Sequence, residues 1–247
     1  MTDYEALSRA YDIYLIKNVM GRHAYHHALG DHRAELDEIW SQRDDISWGN
    51  NMGFWVGRET VYNYYADAKE VQDEATLKLM AKANPKIEVK KENFQLGALL
   101  MHSLTTPLIQ VAADGKTAQG MWYSLGQVTN AGPDGKASGQ WMHERYAVDF
   151  IREGEDWKIW HFFVGTDLGC EAGKPFTGKL GPAPGAEPDP QAEENRKAMM
   201  AIMEALPKPT IPMELYHCKY GWHNEPHFPR PYATHTAEIS YGPEKYL

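Results

Sequence analysis

The sequence predicts an α+β domain in which a strongly curved antiparallel sheet wraps around N-terminal helices, followed by a long C-terminal extension. Apolar residues at helical spacing dominate the first third of the 247-residue chain, and strand-like segments joined by turn residues follow. The composition then changes near Leu168, where prolines become frequent. We therefore expect a domain over residues 1–170 and an extension over residues 171–247.

Three helical segments precede the strands. The first helix is predicted to begin directly after Thr2, because Thr2 and Glu5 have the spacing of a capping box. It should end at Gly30, since a residue without Cβ suits the left-handed turn that follows many helices. A short second helix is expected over residues 32–40. Residues 58–84 indicate a third helical segment, either continuous or broken once.

The predicted sheet consists of an early hairpin and four later strands. Residues 46–56 are aromatic and punctuated by glycine, which favours an irregular strand or a hairpin. The later strands are separated by turn residues of the kind that hairpins require, at Asp114-Gly115, Pro133-Asp134-Gly135 and Glu153-Gly154-Glu155. These four strands are expected over residues 98–111, 117–129, 139–152 and 156–166.

The C-terminal extension begins with a proline-rich segment that cannot continue the sheet. Residues 174–191 carry prolines at positions 175, 182, 184, 188 and 190 and are expected to form a linker or strap. Residues 191–206 indicate one helix. The remaining tail is rich in proline, tyrosine and histidine, and a disordered segment would not normally contain so many aromatic residues. We expect the tail to be ordered by packing on its own subunit or on a neighbouring one.

Composition and charge exclude several classes of protein. Apolar residues make up 43% of the chain and charged residues 24%, which excludes collagen-like and largely disordered proteins. The formal net charge of −9 disfavours binding to nucleic acids or anionic membranes. The charged N-terminus lacks a signal-peptide core, so a cytoplasmic location is expected. The two cysteines, Cys170 and Cys218, form no CxxC pair and fit a reducing compartment.

Several strings of the sequence resemble the SnoaL-like branch of the nuclear-transport-factor-2-like superfamily. They cover most of residues 13–167 and read IKNVMGRHAYHHALGDHRAELDEIW, GRETVYNYY, MHSLTTPLIQVAADGKTAQGMWYS and RYAVDFIREGEDWKIWHF. The resemblance implies a cone or barrel of curved sheet capped by helices, and a homo-oligomer, dimer or trimer, in which another subunit covers the open sheet face. It implies a pocket rather than one reaction, because the superfamily includes dehydratases, isomerases, polyketide cyclases, lyases and binding proteins.

His102 is the first candidate for a catalytic base. It lies within an apolar strand, and Leu100 and Leu104 share its face. The strand resembles one that carries a general acid or base histidine in dehydratases of this superfamily. A core histidine bonded to a backbone carbonyl is an equally good interpretation. Imidazole suits the catalytic role because its ordinary pKa of about 6.5 lets it take and return a proton near neutral pH.

The first helix should form the opposite wall of the pocket, where His23 and His27 lie one turn apart. The tyrosine that the family more usually has there, and the aspartate five positions later, correspond to His23 and Ala28 in this chain. The family's tyrosine and aspartate mechanism therefore does not transfer directly. We expect His23 to take over proton transfer, with Tyr25 as the weaker alternative, and Tyr146 to donate a hydrogen bond to developing negative charge.

Substrate recognition is assigned to aromatic, amide and histidine side chains. Aromatic rings stack on flat ligands, while hydroxyl and amide groups supply directed polar contacts. Such a lining suits a bulky aromatic or polycyclic hydroxylated substrate, although each residue taken singly is more often ordinary packing. The candidate binding residues are Trp48, Asn50, Asn51, Trp55, Tyr62, Tyr65, Trp122, His27 and His161.

Metal and cofactor chemistry is disfavoured by the motifs that are missing. His23, His27 and His102 could instead gather around a metal ion. The sequence contains no HExxH motif, no paired cysteines and no evident carboxylate at ligand spacing, so we expect no metal. It also lacks GxGxxG, P-loop and GxSxG motifs, so we expect no cofactor and no serine nucleophile. Glu144 and Asp149 are expected in solvated or ion-paired positions on the sheet.

The sequence thus predicts a cofactor-independent lyase-type enzyme that uses histidine acid–base catalysis. Dehydration, retro-aldol loss of a small aldehyde and isomerisation all fit, because each begins with a deprotonation and ends with a protonation elsewhere. The alternative is a non-catalytic small-molecule-binding or scaffold protein of the same fold. The enzyme hypothesis requires His23 and His102 to converge on one enclosed, water-poor hollow.

Overall fold

The structure is a computed structural model, which describes residues 2–131, 137–174, 190–212, 227–236 and 240–241. Within these residues, N-terminal helices lie against one face of a curved, unclosed seven-stranded sheet. The predicted α+β class is therefore confirmed. None of the helices in the described part combines the length and the apolar run needed to cross a lipid bilayer.

The helices begin and end close to the predicted positions. Thr2 and Glu5 form both bonds of the capping box at the start of α1, and Gly30 ends α1 in the left-handed conformation, with φ of 68°. The third helical segment is continuous, but a π-helical turn, Asn63–Asp67, separates α3 from α4. The helices of the described residues are α1 Asp3–Leu29, α2 His32–Ile39, α3 Arg58–Tyr62, α4 Ala68–Ala83 and α5 Pro190–Ala205.

The strands form one sheet. The bounds of the first six lie within about five residues of the predicted segments, and the seventh was not predicted. The strands are β1 Ser47–Asn50, β2 Gly53–Val56, β3 Leu99–Val111, β4 Thr117–Ala131, β5 Ala137–Glu153, β6 Asp156–Glu171 and β7 Ile211–Pro212. Their order is β3-β4-β5-β6-β1-β2-β7, with β1 parallel to β6 and the other neighbours antiparallel. The predicted turn at Pro133-Asp134-Gly135 lies outside the described residues.

A bulge in β6 decides which side chains face the helices. Asp149 pairs with His161 and Phe150 with Ile159, so Trp160 is an extra residue between the two pairs. Phe150 and Ile159 belong to the main core between the sheet and the helices. Asp149 is the neighbour of Phe150, so by strand alternation it faces the opposite side, and the bulge places its partner His161 on that side too. We call the helix-covered side the inner face of the sheet and the other side the outer face.

Parts of the C-terminal extension pack on the same chain. β7 pairs with β2, and the backbone of Ala113 donates to the carbonyl of Tyr232 at 2.9 Å. Tyr241 is buried against the outer face, where its hydroxyl donates to the carbonyl of Val148 at 3.1 Å. Most of the predicted strap, the remaining tail segments and Cys218 lie outside the described residues.

Candidate functional site

Four histidines gather between the helices and the inner face of the sheet. His27 lies at their centre, with ring centroids 5.7 Å from His23, 5.1 Å from His32 and 4.8 Å from His102. His23 and His27 share one face of α1, and His102 comes from β3. The left-handed turn at Gly30 brings α2 back so that His32 meets His27. These four residues are called the histidine cluster below.

Glu35 on α2 contacts the histidine cluster through His23 and is fully buried. Its Oε1 lies 2.8 Å from Nδ1 of His23 and accepts a bond from Nε1 of Trp40 at 3.0 Å, while its Oε2 accepts from the hydroxyl of Tyr65 at 3.0 Å. Burial by itself would raise the pKa of Glu35, but the charges and hydrogen bonds of His23 and His32 outweigh burial and hold that pKa well below its usual range. Glu35 is therefore an ionised carboxylate.

The pairing with Glu35 defines which nitrogen of His23 can accept a proton. A carboxylate accepts hydrogen bonds, so Nδ1 of His23 carries the hydrogen that points to Glu35. In the neutral ring, Nε2 then holds a free lone pair. This nitrogen is buried and has no hydrogen-bond partner among the described residues. Glu35 thus fixes the orientation of His23, with Nε2 buried in the protein interior.

His102 forms a second pair of the same kind, with Glu144 of β5. Nδ1 of His102 lies 2.9 Å from Oε2 of Glu144, and the side chains are only 6% and 5% exposed. Thr166 donates to the other oxygen of Glu144 at 3.3 Å. Of the two environments expected for Glu144 and Asp149, the solvated one is wrong, since both are buried and each pairs with a histidine.

Two neutral groups stand between the paired histidines. The ring of Tyr146 lies 5.6 Å from that of His23 and 6.4 Å from that of His102. Burial, followed by the charge of Glu144, raises the pKa of Tyr146 well above 10.0, so the phenol stays a hydrogen-bond donor. Burial, followed by the charges of the neighbouring histidines, lowers the pKa of His27 well below 6.5. His27 is accordingly an uncharged imidazole near neutral pH.

The cluster also contains a set of side chains at metal-ligand spacing. His27, His32 and Glu35 each offer a ligand atom, and these atoms lie within 4.8 Å of one another. This set differs from the predicted alternative of His23, His27 and His102, because only His27 belongs to both. The two oxygens of Glu35 together already accept three hydrogen bonds, two at Oε1 and one at Oε2. A metal here would have to displace part of that network.

A cavity of about 330 Å³ opens beside the cluster, where α1 ends and α2 begins. This volume lies at the lower end of the range of about 300–1,000 Å³ for ligand pockets. Of the histidine cluster, only His32 contributes to its wall. The remaining lining includes Ala66 and Phe94 with two ion pairs, Lys69–Asp73 and Lys91–Glu70. The cavity is therefore more polar than the dry aromatic hollow expected from the sequence.

The structure brings two of the nine predicted binding residues into the histidine cluster, namely Tyr65 and His27. Three predicted tryptophans are packed into the core instead. Trp55 stacks on Tyr64 with ring centroids 3.7 Å apart, Trp48 contacts both Trp55 and Tyr65, and Trp122 lies edge-on to Phe150. All three belong to the main core, and none of them lines the described cavity.

The other four predicted binding residues have partners away from the cluster. Asn50 caps the backbone of Met52, and Asn51 bonds to both backbone groups of Thr166. Tyr62 donates to Asp37 on the surface of the helices. His161 lies on the outer face, where Nδ1 is 2.9 Å from Asp149. None of these four contributes to the wall of the described cavity.

Sequence reasoning missed the carboxylates and one histidine of the site. His32 and Glu35 are three residues apart in a helix that Asp31 caps, so their shared helix face was a usable signal. Glu144 shares a strand face with Tyr146 by simple alternation. Which histidine each carboxylate would meet was not encoded locally, because each pair joins different elements of the fold.

Comparison with known proteins places the fold in a family. A sequence model of the SnoaL-like domain matches residues 8–162, which is more than half of the chain. A search of curated proteins finds no match. Among solved structures, the chain is similar to a proposed scytalone dehydratase from Novosphingobium aromaticivorans, with 10% identity over 72% of this chain and 99% of that one and a TM-score of 0.48.

Two further solved structures show similar values. The hexachlorocyclohexane dehydrochlorinase LinA-type3 from Novosphingobium barchaimii is 14% identical over 70% of this chain and 99% of that one, with a TM-score of 0.46. A proposed dehydratase of the NTF2-like family from Streptomyces avermitilis is 16% identical over 64% of this chain and 98% of that one, with a TM-score of 0.43.

Proposed function

Because the chain belongs to the SnoaL-like domain family, we propose that it is a cofactor-independent lyase-type enzyme that acts on a hydroxylated aromatic small molecule by histidine acid–base catalysis. The observation that carries this proposal is the buried Nε2 of His23, which has no partner in the described residues while Glu35 holds Nδ1. A buried polar atom without a partner is costly and is often retained for chemistry.

The two carboxylate–histidine pairs divide the work of proton transfer. We assign His102 as the base that takes a proton from the substrate. His23 is assigned as the acid, which enters the step with a proton on Nε2 and returns that proton elsewhere on the substrate or its leaving group. Glu144 and Glu35 hold the required tautomers and stabilise the imidazolium that forms when Nε2 takes a proton. Positioned proton transfer of this kind contributes about 10²- to 10⁴-fold in rate.

Tyr146 completes the proposed site as a hydrogen-bond donor. Tyr146 lies beside both histidine–carboxylate pairs, because its ring contacts the rings of His23 and His102. Loss of water, retro-aldol cleavage and isomerisation each develop negative charge on a substrate oxygen or carbon. A phenol that stays protonated in a buried site stabilises that charge without transferring its own proton.

Substrate access is proposed to run from the cavity past His32 and His27. A molecule in the cavity touches His32, and the ring of His27 separates His32 from His102. One route is that these two rings turn aside, so that the substrate reaches the paired histidines. The other is that the substrate stays in the cavity and the two rings relay the proton. The volume of about 330 Å³ favours a compact aromatic molecule over the polycyclic substrate that the sequence also allowed.

Solvent deuterium exchange provides a direct test of proton transfer. The full chain is incubated in D₂O with hydroxylated aromatic ketones that carry an acidic C–H, and deuterium incorporation and loss of water or aldehyde are followed by mass spectrometry. His102→Ala and His23→Ala should each lower the rate by about 10²-fold or more. His26→Ala is the matched control, because His26 lies on the same helix but bonds to Glu38 near the surface.

A ligand-binding protein without turnover is the second candidate function. It is favoured by the position of the cavity, which reaches His32 but neither His23 nor His102. In that case the compounds bind with equal affinity to the wild type and to His102→Ala, and neither protein exchanges deuterium faster than buffer. Binding retained together with exchange lost in His102→Ala supports the enzyme.

A further inference from the structure

The outer face of the sheet carries a second group of ligand-type side chains. Asp149 of β5, His161 of β6 and His235 of the C-terminal tail place their ligand atoms within 4.8 Å of one another. Trp160, the bulge residue, stacks on His161 at 4.3 Å and contacts the ring of His235 at 4.8 Å. These three residues lie on the opposite side of the sheet from the histidine cluster and have no role in the proposed reaction.

His161 meets a hydrogen-bond acceptor at each ring nitrogen. Nε2 lies 3.2 Å from the backbone carbonyl of Asp45, and Nδ1 lies 2.9 Å from Oδ2 of Asp149. A neutral imidazole carries only one N–H, so it can satisfy only one of these acceptors. If Nε2 donates to the carbonyl, the lone pair of Nδ1 faces the carboxylate and a cation is needed between them. Either a second proton or a metal ion can serve.

Two further buried atoms distinguish the metal ion from the proton. Oδ1 of Asp149 and Nε2 of His235 are buried and have no hydrogen-bond partner in the described part of the chain. Asp149 is 0% exposed. A second proton on His161 would leave both atoms unsatisfied. One metal ion bound by all three side chains would satisfy both and would also separate the lone pair of Nδ1 from the carboxylate.

We propose that Asp149, His161 and His235 bind a divalent transition-metal ion of the Zn²⁺ type, which fixes the C-terminal tail to the sheet. Two imidazoles and one carboxylate are a donor set that zinc prefers. Tetrahedral ligands at about 2.0–2.1 Å lie roughly 3.3 Å apart, and the ligand atoms of the three side chains already lie within 4.8 Å of one another, so a small inward movement would bring them to bonding distance. The carbonyl of Asp45 orients His161 as an outer hydrogen-bond partner does in known sites.

The tail is already held on both sides of His235 by contacts that do not involve a metal. Before it, the carbonyl of Tyr232 accepts the backbone N–H of Ala113 at 2.9 Å. After it, Ser240 donates its backbone N–H to Asp149 at 3.3 Å. The third ligand is therefore presented by an anchored segment. The metal ion would join the tail to two strands of the sheet at one point.

Calorimetric titration of the full chain with Zn²⁺, after removal of metal with a chelator, tests this site. We expect one Zn²⁺ per chain in the wild type. His235→Ala should bind Zn²⁺ at least about 100-fold more weakly. Loss of a residue that only supports a metal ligand already costs up to about 100-fold, and His235 is proposed as a ligand itself. His143→Ala is the control, because His143 lies on β5, as the ligand Asp149 does, but contacts Tyr123 instead. This control should bind Zn²⁺ as the wild type does.

Two measurements separate this site from the histidine cluster and from misfolding. His32→Ala should keep full Zn²⁺ affinity, and loss of binding in this variant instead of His235→Ala would place the ion in the histidine cluster and overturn the proposal. In the wild type, Zn²⁺ should protect His235 from modification by diethyl pyrocarbonate, a readout that needs no variant. Absence of both protection and micromolar Zn²⁺ binding would also overturn it, whatever the outcome of the deuterium exchange experiment.

Discussion

Replacing Glu35 by glutamine tests whether an ionised carboxylate organises the helices around His23. The substitution keeps the shape of the side chain but removes its charge. Three donors now bond to this carboxylate, from His23, Trp40 and Tyr65. A hydrogen bond to a charged group contributes about 1.5–3 kcal/mol and a neutral one about 0.5–1.5 kcal/mol, so each bond weakens by about 1 kcal/mol. We therefore expect Glu35→Gln to lower the free energy of unfolding by about 3 kcal/mol.

This loss is large enough to measure by thermal unfolding. For a chain of this size, 1 kcal/mol corresponds to a change in Tm of about 2–4 °C, so Tm should fall by about 6–12 °C at pH 7. Glu38→Gln is the matched control, because Glu38 lies on the same helix and pairs with Arg22 at the surface. The control should change the free energy of unfolding by at most about 1 kcal/mol.

The pH dependence gives the sharper test. The pKa of Glu35 is lower in the folded protein than its ordinary value of 4.5. Its contribution is therefore complete above pH 4.5 and is lost as the pH falls below that value. The difference in stability between wild type and Glu35→Gln should be largest at pH 7 and shrink in acid. Equal stability of the two proteins at pH 7, or a difference that stays constant from pH 7 to pH 3, would refute the reasoning.

Three other predictions concern stability. The pKa of His27 in the folded protein lies below 6.5, so the wild type should lose stability as the pH falls below 6.5. In urea unfolding, the free energy of unfolding of His27→Gln should decline less steeply with falling pH. Parallel curves for the two proteins would contradict this. Gly30→Ala should cost about 1–2 kcal/mol in thermal unfolding, because φ is 68° there; an unchanged Tm would show that the cap relaxes. Tyr241→Phe should cost about 1 kcal/mol in urea, since Val148 loses its donor; equal midpoints would argue against tight docking of the tail.

The two faces of the sheet separate two kinds of chemistry that are neighbours in the sequence. Tyr146 and Asp149 are only three residues apart on β5, yet Tyr146 meets His23 while Asp149 meets the tail. Strand alternation alone accounts for this separation. The same property lets variants on the outer face change tail docking without touching the paired histidines.

The positions of the elements could be predicted because their signals are local. The capping box at Thr2 and Glu5, the left-handed turn at Gly30 and the turn glycines Gly115 and Gly154 each act within a few residues, and the structure confirms them. Helix and strand periodicity indicated the faces on which His23 and His102 lie. That these two faces oppose each other was expected from the cone that the family resemblance implied, and both rings lie next to that of His27.

The partners of the site residues were decided only by the tertiary structure. Glu35 meets His23 because α2 folds back on α1, and Glu144 meets His102 across two strand pairings of the sheet. The bulge at Trp160 moved His161 to the outer face, which no alternation pattern could indicate. Spacing along a chain determines faces, whereas contacts across a fold depend on registers and crossing geometries that many residues set together.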